Sequence, residues 1–218
     1  KKINFFFYGL GQTAKYFTKE LVNSKKKFTF SATNTKKTSL KSFCKKKFKS
    51  FKFKDNNFDQ RLLKKLQNAD YILVSIPPQG KKDLVLKRFK KNLKSLNFKK
   101  LIYLSATSVY GNHNGKWVSE NSKLKGKTLF GKRRIAAEKA WIDFKKSSGL
   151  DINILRVSGI YSKESNVLKK ILKKNIYVKD KKFFSRIRIE DLAVIIKKMF
   201  FSSKSFMILN ASDDKTST

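Results

Sequence analysis

The fold is decided at the start of the chain, where residues 3–14 read INFFFYGLGQTA. The first six of these residues are apolar except for Asn4 and run into a glycine, a pattern typical of a buried parallel strand. The following Gly9-Leu10-Gly11-Gln12-Thr13-Ala14 has the spacing G-x-G-x-x-A and opens an amphipathic helix predicted over 12–24. This order of strand, glycine turn and helix predicts a phosphate-binding turn.

Each small residue of the turn has a physical reason to be there. Gly9 permits the tight turn, Gly11 lets a pyrophosphate approach the backbone, and Ala14 allows close packing of helix on strand. Gln12 and Thr13 form the N-terminus of the helix. This terminus offers free N–H groups and a partial positive charge. We therefore predict a dinucleotide bound at Gly9, Gly11, Gln12 and Thr13, rather than an ordinary strand–helix turn.

Strands and helices alternate over most of the chain. The pattern predicts buried strands over 28–32, 69–76, 101–105 and 152–157, and a short strand over 206–210. It predicts helices over 58–66, 84–96, 129–146, 167–174 and 192–200. Residues 36–54, rich in Lys and Phe, are predicted to hold a short helix and a weak strand ending near Phe53.

This alternation predicts an α/β fold, a Rossmann-type doubly wound parallel sheet with a small C-terminal substrate-side region. We interpret residues 1–218 as a single NAD(P)-binding domain. Its small substrate-side segments are predicted near 111–129 and 160–218.

The end of the second strand bears on the choice of cofactor. An NAD site usually has an acidic residue there to bind the ribose hydroxyls, but residues 31–37 contain none. Thr33, Asn34 and Lys36 stand there instead and suit a 2′-phosphate, which favours NADP(H) over NAD(H). In such sheets ligands bind at the carboxyl ends of the strands, so Ser75, Ile76 and Pro77 are predicted beside the adenosine half and Ser105 near the nicotinamide.

The net charge of +38, from 53 basic and 15 acidic residues, has two interpretations. It can serve a polyanionic partner, or it can reflect a composition biased towards lysine, because 46 of the basic residues are Lys and they are spread along the chain. We expect non-specific polyanion binding at low salt and no specific nucleic-acid partner, since specific readout usually depends on Arg.

Cysteine and histidine usage excludes two further classes of protein. One cysteine, Cys44, and one histidine, His113, cannot build a disulfide framework or a Cys/His zinc cluster, so no metal is expected. No apolar run approaches the roughly 18 residues of a membrane span. We expect a cytoplasmic protein, either a monomer or a homodimer, that acts on a small-molecule substrate.

At this point three segments of the sequence, with the glycine turn, point to a known family. They are the buried strand at 71–78, YLSATSVYG at 103–111 and FSRIRIEDLA at 184–193. In this order they resemble the extended short-chain dehydrogenase/reductase superfamily, the NAD-dependent epimerase/dehydratase group, and within it the atypical members. The resemblance implies a nicotinamide cofactor and places a nicotinamide-side loop at 157–161, where Gly159 is predicted to contact the cofactor.

The resemblance also implies a catalytic set that this chain lacks. The family uses a Tyr as general acid/base, a Lys four residues later, and a Ser or Thr after the fifth strand. Here Phe130 takes the Tyr place, Arg134 the Lys place and Ala106 the Ser place. Arg134 keeps the positive charge and can bind ribose or phosphate, but it cannot relay a proton.

Other residues could supply the missing groups. Thr107 or Ser108 could provide the hydroxyl, and Tyr110, Tyr161 or His113 the proton; of these we predict Thr107 and Tyr110 as catalytic. The acidic Glu190–Asp191 pair is interpreted as structural, opening a helix. The residues predicted to face the substrate crevice are Ser185, Arg186 and Arg188.

Three functions therefore remain open. The first is an NAD(P)-dependent oxidoreductase or epimerase, NADP(H)-preferring, that acts on a small carbonyl or sugar-like substrate. The second is a non-catalytic dinucleotide-binding or sensor protein, suggested by Phe130, Arg134 and Ala106. The third is a nucleic-acid-associated basic protein, which rests on the net charge alone.

Overall fold

The computed structural model describes residues 2–80, 83–163, 184–205 and 207–214. The helices are α1 (Gln12–Asn23), α2 (Leu62–Gln67), α3 (Leu84–Lys94), α4 (Leu129–Ser148) and α5 (Ile189–Phe201), with a 3-10 turn at Thr107–Val109. The strands are β1 (Ile3–Tyr8), β2 (Phe28–Asn34), β3 (Ser39–Phe43), β4 (Lys46–Lys54), β5 (Asn57–Phe58), β6 (Tyr71–Val74), β7 (Lys100–Ala106), β8 (Ile152–Val157), β9 (Gly159–Tyr161), β10 (Arg186–Arg188) and β11 (Ile208–Ala211).

A mostly parallel sheet forms the centre of the fold. Within the described residues its strand order is β11-β8-β7-β6-β1-β2-β4-β3, and β5 pairs with β4. The chain leaves β1 towards β2 on one side and returns to β6 on the other, so the switch in strand order lies beside β1. This arrangement confirms the predicted Rossmann-type α/β fold.

Helices cover both faces of the sheet and bury two apolar clusters. On one face, α1 and α5 pack against the sheet and contribute Phe17, Leu21 and Phe200 to the cluster. The other face packs α2, α3 and α4, with Phe89 and Trp141 at its centre. Parallel strands buried on both faces explain why β1 and β6 read as continuous apolar runs instead of alternating ones.

The structure corrects the prediction for residues 36–54. No helix forms there; the segment holds the antiparallel pair β3 and β4, with β4 also parallel to β2. The reason is that Phe48, Phe51 and Phe53 are buried against the sheet, which holds their segment as a strand despite its lysines. The predicted helix over 58–66 begins late, because Phe58 pairs in β5 and α2 starts at Leu62.

The C-terminal part agrees with the sequence where it is described. The predicted helix over 192–200 is contained in α5, and the predicted final strand corresponds to β11 beside β8. The predicted helix over 167–174 lies outside the described residues. Strands β9 and β10 form a small parallel sheet of their own. In the described residues no helix is long and apolar enough to cross a membrane.

Candidate functional site

The glycine turn between β1 and α1 is fixed by side chains from two neighbouring strands. Gly9 has φ +90°, and its N–H donates to the Thr33 hydroxyl at 2.9 Å. The Ser75 hydroxyl lies 3.1 Å from the carbonyl oxygens of Tyr8 and Gly9. A Cβ on Gly9 would come within 3.0 Å of that hydroxyl oxygen, so glycine is needed both for its backbone angle and for space.

Gly11 is needed for another reason. Its φ of −76° is open to any residue, and a Cβ placed there would meet nothing within 4 Å. The N-terminus of α1 begins directly after it, and no side chain of the described residues caps that terminus. The first N–H groups of the helix therefore point into open space beside a residue without a side chain, as an anion-binding turn requires.

The open space at Gly11 is one end of a cavity of about 230 Å³. The cavity runs along the carboxyl ends of β1, β6, β7 and β8, where the strand order switches and where sheets of this class bind ligands. The residues that line it are Gly11, Gln12, Thr13, Ser75, Leu104, Ser105, Ala106, Arg134, Val157, Ser158 and Ile160.

Two hydroxyls in the cavity wall lack partners. Ser105 is 3% exposed and Ser158 is 5% exposed, and neither side-chain oxygen has a hydrogen-bond partner among the described residues. Buried polar groups in native proteins are almost always hydrogen-bonded, to protein, water or ligand. These two hydroxyls are therefore available to a polar ligand in the cavity.

Arg134 on α4 lines the same cavity. Its Nη1 donates to the carbonyl oxygen of Leu104 at 2.6 Å, which ties the guanidinium to the end of β7. Phe130 lies one turn earlier on α4, does not line the cavity, and is 74% exposed. The position that would carry the family's proton donor thus holds a solvent-exposed ring without a proton to give.

A buried network holds α4 against the sheet. The Arg156 guanidinium on β8 pairs with the Glu138 carboxylate on α4, with N–O distances of 2.8 to 3.1 Å and both side chains at most 3% exposed. Arg156 also donates to the Tyr110 hydroxyl at 2.8 Å, and that hydroxyl donates to Asn210 on β11 at 2.7 Å. The network continues through Glu120, whose carboxylate accepts from the Asn210 backbone N–H at 2.7 Å.

The Tyr110 side chain is held in place by this network. Tyr110 is 3% exposed, its hydroxyl is engaged on both sides, and it does not line the cavity. Thr107 is half-buried and also lies outside the cavity lining. The structure therefore does not bring the two residues predicted as catalytic to the cavity.

The remaining predicted proton donors lie elsewhere too. His113 contacts the Lys123 carbonyl oxygen at 3.1 Å in an exposed loop, and Tyr161 is on β9, outside the cavity lining. Burial and the nearby Asp213 carboxylate raise the pKa of Tyr161, which weakens it as an acid. Ser108, the alternative hydroxyl, is exposed.

A second buried polar cluster lies under α3 and α4. Asp83 caps the N-terminus of α3 by accepting from the Val85 and Leu86 N–H groups, both at 3.0 Å. Burial raises the pKa of Asp83. Burial, and then the Asp83 carboxylate, raise the pKa values of the Tyr8 and Tyr103 hydroxyls. The two tyrosine hydroxyls stay protonated near neutral pH, and the cluster lies in the core rather than in the cavity lining.

Residues at the end of β2 form the other end of the predicted cofactor site. Thr33 is buried and occupied with the Gly9 N–H. The Asn34 amide donates to Ser50 at 2.7 Å and its oxygen accepts from the Lys36 N–H at 2.8 Å, so Asn34 shapes the loop. The Lys36 and Lys37 side chains are exposed, and no carboxylate of the described residues forms an ion pair with them.

Several predicted contacts fall outside the cavity lining. Ile76 and Pro77 follow β6 but do not line the cavity. Gly159 does not line it either, and its N–H donates to the Ser185 carbonyl oxygen at 3.1 Å. Arg188 pairs with Glu190 at 3.0 Å, which agrees with a structural role for that acid. In the described residues no group of three or more His, Cys, Asp or Glu could hold a metal ion.

Sequence reasoning predicted the loop at 157–161 on the nicotinamide side but named only Gly159 in it as a cofactor contact, and other residues of this loop line the cavity. Ser158 and Ile160 line it on either side of the predicted Gly159, as alternation along an extended segment allows. The Gln12 amide donates to the Ser162 hydroxyl at 2.8 Å, which links the glycine turn to the segment after β9. Alternation could have identified Ser158, but no local signal predicts a contact across 150 residues.

Comparison with known proteins supports the resemblance. Residues 85–186 match the family model of the NAD dependent epimerase/dehydratase family, which confirms the family likeness predicted from the sequence. The glycine turn lies outside the matched residues, so it is an independent indication. No curated protein matches the chain significantly.

Solved structures share the fold over nearly the whole chain. A functionally unknown conserved protein from Silicibacter pomeroyi DSS is 22% identical, with a TM-score of 0.80 over 98% of this chain and 73% of its own. UDP-glucuronic acid 4-epimerase from Bacillus cereus, in complex with UDP-glucuronic acid and NAD, is 15% identical, with a TM-score of 0.81 over 99% and 79%. UDP-N-acetylglucosamine 4-epimerase from Methanobrevibacter ruminantium M1 is 19% identical, with a TM-score of 0.79 over 100% and 78%.

Proposed function

We propose that the protein binds NADP(H) along the cavity and acts as an oxidoreductase or epimerase on a small carbonyl or sugar-like substrate. The observation that carries this proposal is the cavity itself. It joins the N-terminus of α1 at Gly11 to Arg134 and to the hydroxyls of Ser105 and Ser158, which have no hydrogen-bond partner among the described residues. The match to the epimerase/dehydratase family and the NAD in the Bacillus cereus epimerase complex support a nicotinamide dinucleotide.

The residues present fit such a cofactor. The pyrophosphate would lie at Gly11 against the first N–H groups of α1, with Gln12 and Thr13 beside it. Ser105 and Ser158 would bind the polar groups of the nicotinamide half, because their hydroxyls have no other partner among the described residues. A bound nicotinamide would supply hydride transfer, which no side chain can supply.

The chain's own contribution to chemistry centres on Arg134. Its guanidinium donates to the Leu104 carbonyl oxygen and carries a delocalised positive charge. It can orient a substrate oxygen and stabilise negative charge that develops there. It cannot exchange a proton, and Phe130 has none, so the proton in this proposal comes from water at the open mouth of the cavity.

The proposal predicts selective stabilisation by NADPH. In a thermal-shift titration at about 200 mM salt, NADPH should stabilise the fold by about 2.7 kcal/mol at 100 times its dissociation constant. NADH should give a smaller shift at the same concentration, and pyrophosphate, the polyanion control, a smaller one still. Equal shifts with all three ligands would mean that only their charge is recognised, and would refute the proposal.

The preference for NADP(H) is assigned to Lys36 and Lys37. Replacing both by alanine should weaken NADPH binding about tenfold, or about 1.4 kcal/mol, because their exposed side chains place two cations at the end of β2. NADH serves as the internal control, and its dissociation constant should not change. Isothermal titration calorimetry measures both, and an equal loss for the two cofactors would contradict the assignment.

A non-catalytic dinucleotide-binding function is the second candidate. It is favoured by Phe130 and Ala106, and by the lack of any titratable side chain except Arg134 among the described residues that line the cavity. The two candidates differ in turnover. Oxidation of bound NADPH by a panel of carbonyl and sugar-nucleotide compounds would establish the enzyme, whereas tight binding without oxidation of the cofactor would establish the sensor.

We also propose that the protein is cytoplasmic. Cys44 is a free thiol, which suits the cytoplasm because thiols stay reduced there. We propose a monomer or a homodimer. The exposed Lys90, Lys91 and Lys94 on α3 oppose a symmetric contact through that helix, because each lysine would face like charge.

A further inference from the structure

One part of the surface carries more positive charge than the fold and the proposed cofactor site use. Residues 36–54, which we name the lysine hairpin, contain nine lysines and no acidic residue. The hairpin comprises the loop after β2 together with β3 and β4, and β3 is an edge strand of the sheet. It lies outside the residues that match the family model.

The positive charge of the hairpin is not neutralised by the protein. Within the described part of the chain, none of its lysines forms an ion pair. The acids that follow it are committed elsewhere, because Asp55 pairs with Lys87 and Arg88, and Asp59 pairs with Arg61. At 0.1 M salt charges interact over about 10 Å, so the lysines repel one another unless an anion binds them.

The strand register keeps the lysines of β3 and β4 from lying directly opposite one another. Each lysine in the paired part of the hairpin lies opposite an uncharged residue, the pairs being Lys41–Phe48, Lys46–Phe43, Lys47–Ser42 and Lys49–Leu40. Like charges directly opposite one another would destabilise the pairing, and the hairpin has none. Because faces alternate along a strand, Lys41 and Lys46 share one face, while Lys47 and Lys49 share the other.

We propose that the lysine hairpin binds the phosphate backbone of a double-stranded nucleic acid without reading its sequence. A two-stranded ribbon fits the major groove of B-DNA, where a phosphate backbone runs on either side. Lys41 on one face, Lys47 on the other and Lys45 at the turn are exposed and can reach both backbones. The hairpin contains no arginine, the residue most used for bidentate contact with guanine, so binding is to phosphate and not to base edges.

The composition of the hairpin argues against other polyanions. None of its phenylalanines is exposed, so it offers no surface on which unpaired bases can stack, as single-strand binding proteins do. Leu40 is its only exposed large apolar side chain, 70% exposed, which is too little to insert into a membrane surface. A duplex is therefore favoured over a single strand or an anionic lipid surface.

The lysine-rich composition of the chain provides a matched control. Lys90, Lys91 and Lys94 on α3 are exposed, like Lys41, Lys45 and Lys47 of the hairpin. Replacing either set by glutamine removes the same charge from the protein. If binding depends only on net charge, the two triple variants lose affinity equally, whereas a site on the hairpin makes the first variant the weaker binder.

The experiment measures fluorescence anisotropy of a labelled mixed-sequence DNA duplex with each variant as salt is raised. Each lysine that no longer binds a phosphate lowers the salt slope of log K by about 0.9, which is about eightfold in affinity at 0.1 M salt. For Lys41→Gln/Lys45→Gln/Lys47→Gln we expect at least about a tenfold loss, and for Lys90→Gln/Lys91→Gln/Lys94→Gln less than about threefold. NADPH binding should be unchanged in both, because both variants keep Lys36 and Lys37 and all the residues that line the cavity.

Equal losses in the two variants would overturn the proposal, as would a wild-type salt slope of log K smaller than the roughly 2.7 that three phosphate-bound lysines require. Stronger binding to a single strand, or to vesicles of anionic lipid, would overturn it as well and would assign the hairpin to that partner instead. A duplex RNA arm distinguishes the two kinds of duplex. Lysine acetylation of the wild-type protein tests the site without any variant: bound duplex should protect Lys41 and Lys47 and leave Lys90 reactive.

Discussion

Replacing Glu138 by glutamine is expected to lower the free energy of unfolding by about 3 to 5 kcal/mol, because the Arg156 charge would remain buried without a counter-charge. Both side chains are at most 3% exposed, so water cannot replace the missing carboxylate charge. The change in the urea midpoint measures the effect, provided that unfolding is two-state.

Two controls separate this effect from that of breaking any ion pair. Asp55→Asn breaks the exposed pair with Lys87 by a change of the same kind and should leave the midpoint nearly unchanged. The double variant Glu138→Met/Arg156→Met should be less destabilised than either single methionine variant, because it leaves no uncompensated charge. A Glu138→Gln protein as stable as the wild type would contradict the conclusion that this ion pair helps to hold α4 against the sheet.

Replacing Gly11 by valine is expected to abolish most dinucleotide binding while the fold stays intact. The backbone at Gly11 accepts a side chain without strain, and a Cβ there has nothing within 4 Å to displace. The same space is where the proposed pyrophosphate must lie. We expect NADPH affinity to fall about a hundredfold, or about 2.7 kcal/mol, by calorimetry.

The readouts of this variant keep binding and folding apart. An unchanged thermal midpoint without ligand shows that the turn is intact, and unchanged duplex binding shows that the hairpin is intact. Unaltered NADPH affinity in a folded Gly11→Val protein would exclude the cofactor from the glycine turn. That result would leave the hairpin proposal standing, since it rests on different residues.

Much of the fold could be predicted from the sequence because its signals are local. The strand, glycine turn and helix at residues 3–14 and the buried runs of β6, β7 and β8 all lie where the apolar pattern predicts them. Residues 36–54 could be predicted only in part: β4 matches the strand predicted to end near Phe53, but β3 forms where a helix is predicted. The phenylalanines of this segment become buried only against β2 and helices elsewhere in the chain. A pattern of alternating Lys and Phe carries no sign of that tertiary contact.

The candidate site divides in the same way. The glycine motif predicts Gly9 and Gly11, and the end of β7 predicts Ser105. The structure brings Gly11 and Ser105 to the cavity. Tyr110 stands in a recognisable motif, but its role depends on Asn210, 100 residues away, and on Arg156. Since such partners are set by topology, a sequence can nominate a tyrosine as catalytic without indicating that its hydroxyl is already engaged.

The exposure of Phe130 has an evolutionary consequence. Most of the ring lies in water, so a hydroxyl added by Phe130→Tyr would bury no polar atom and need no new partner. Phenylalanine and tyrosine codons differ by a single base, which makes the exchange one mutational step in either direction. A single base change can therefore add or remove a hydroxyl at this position without a cost in stability, while the fold is inherited unchanged.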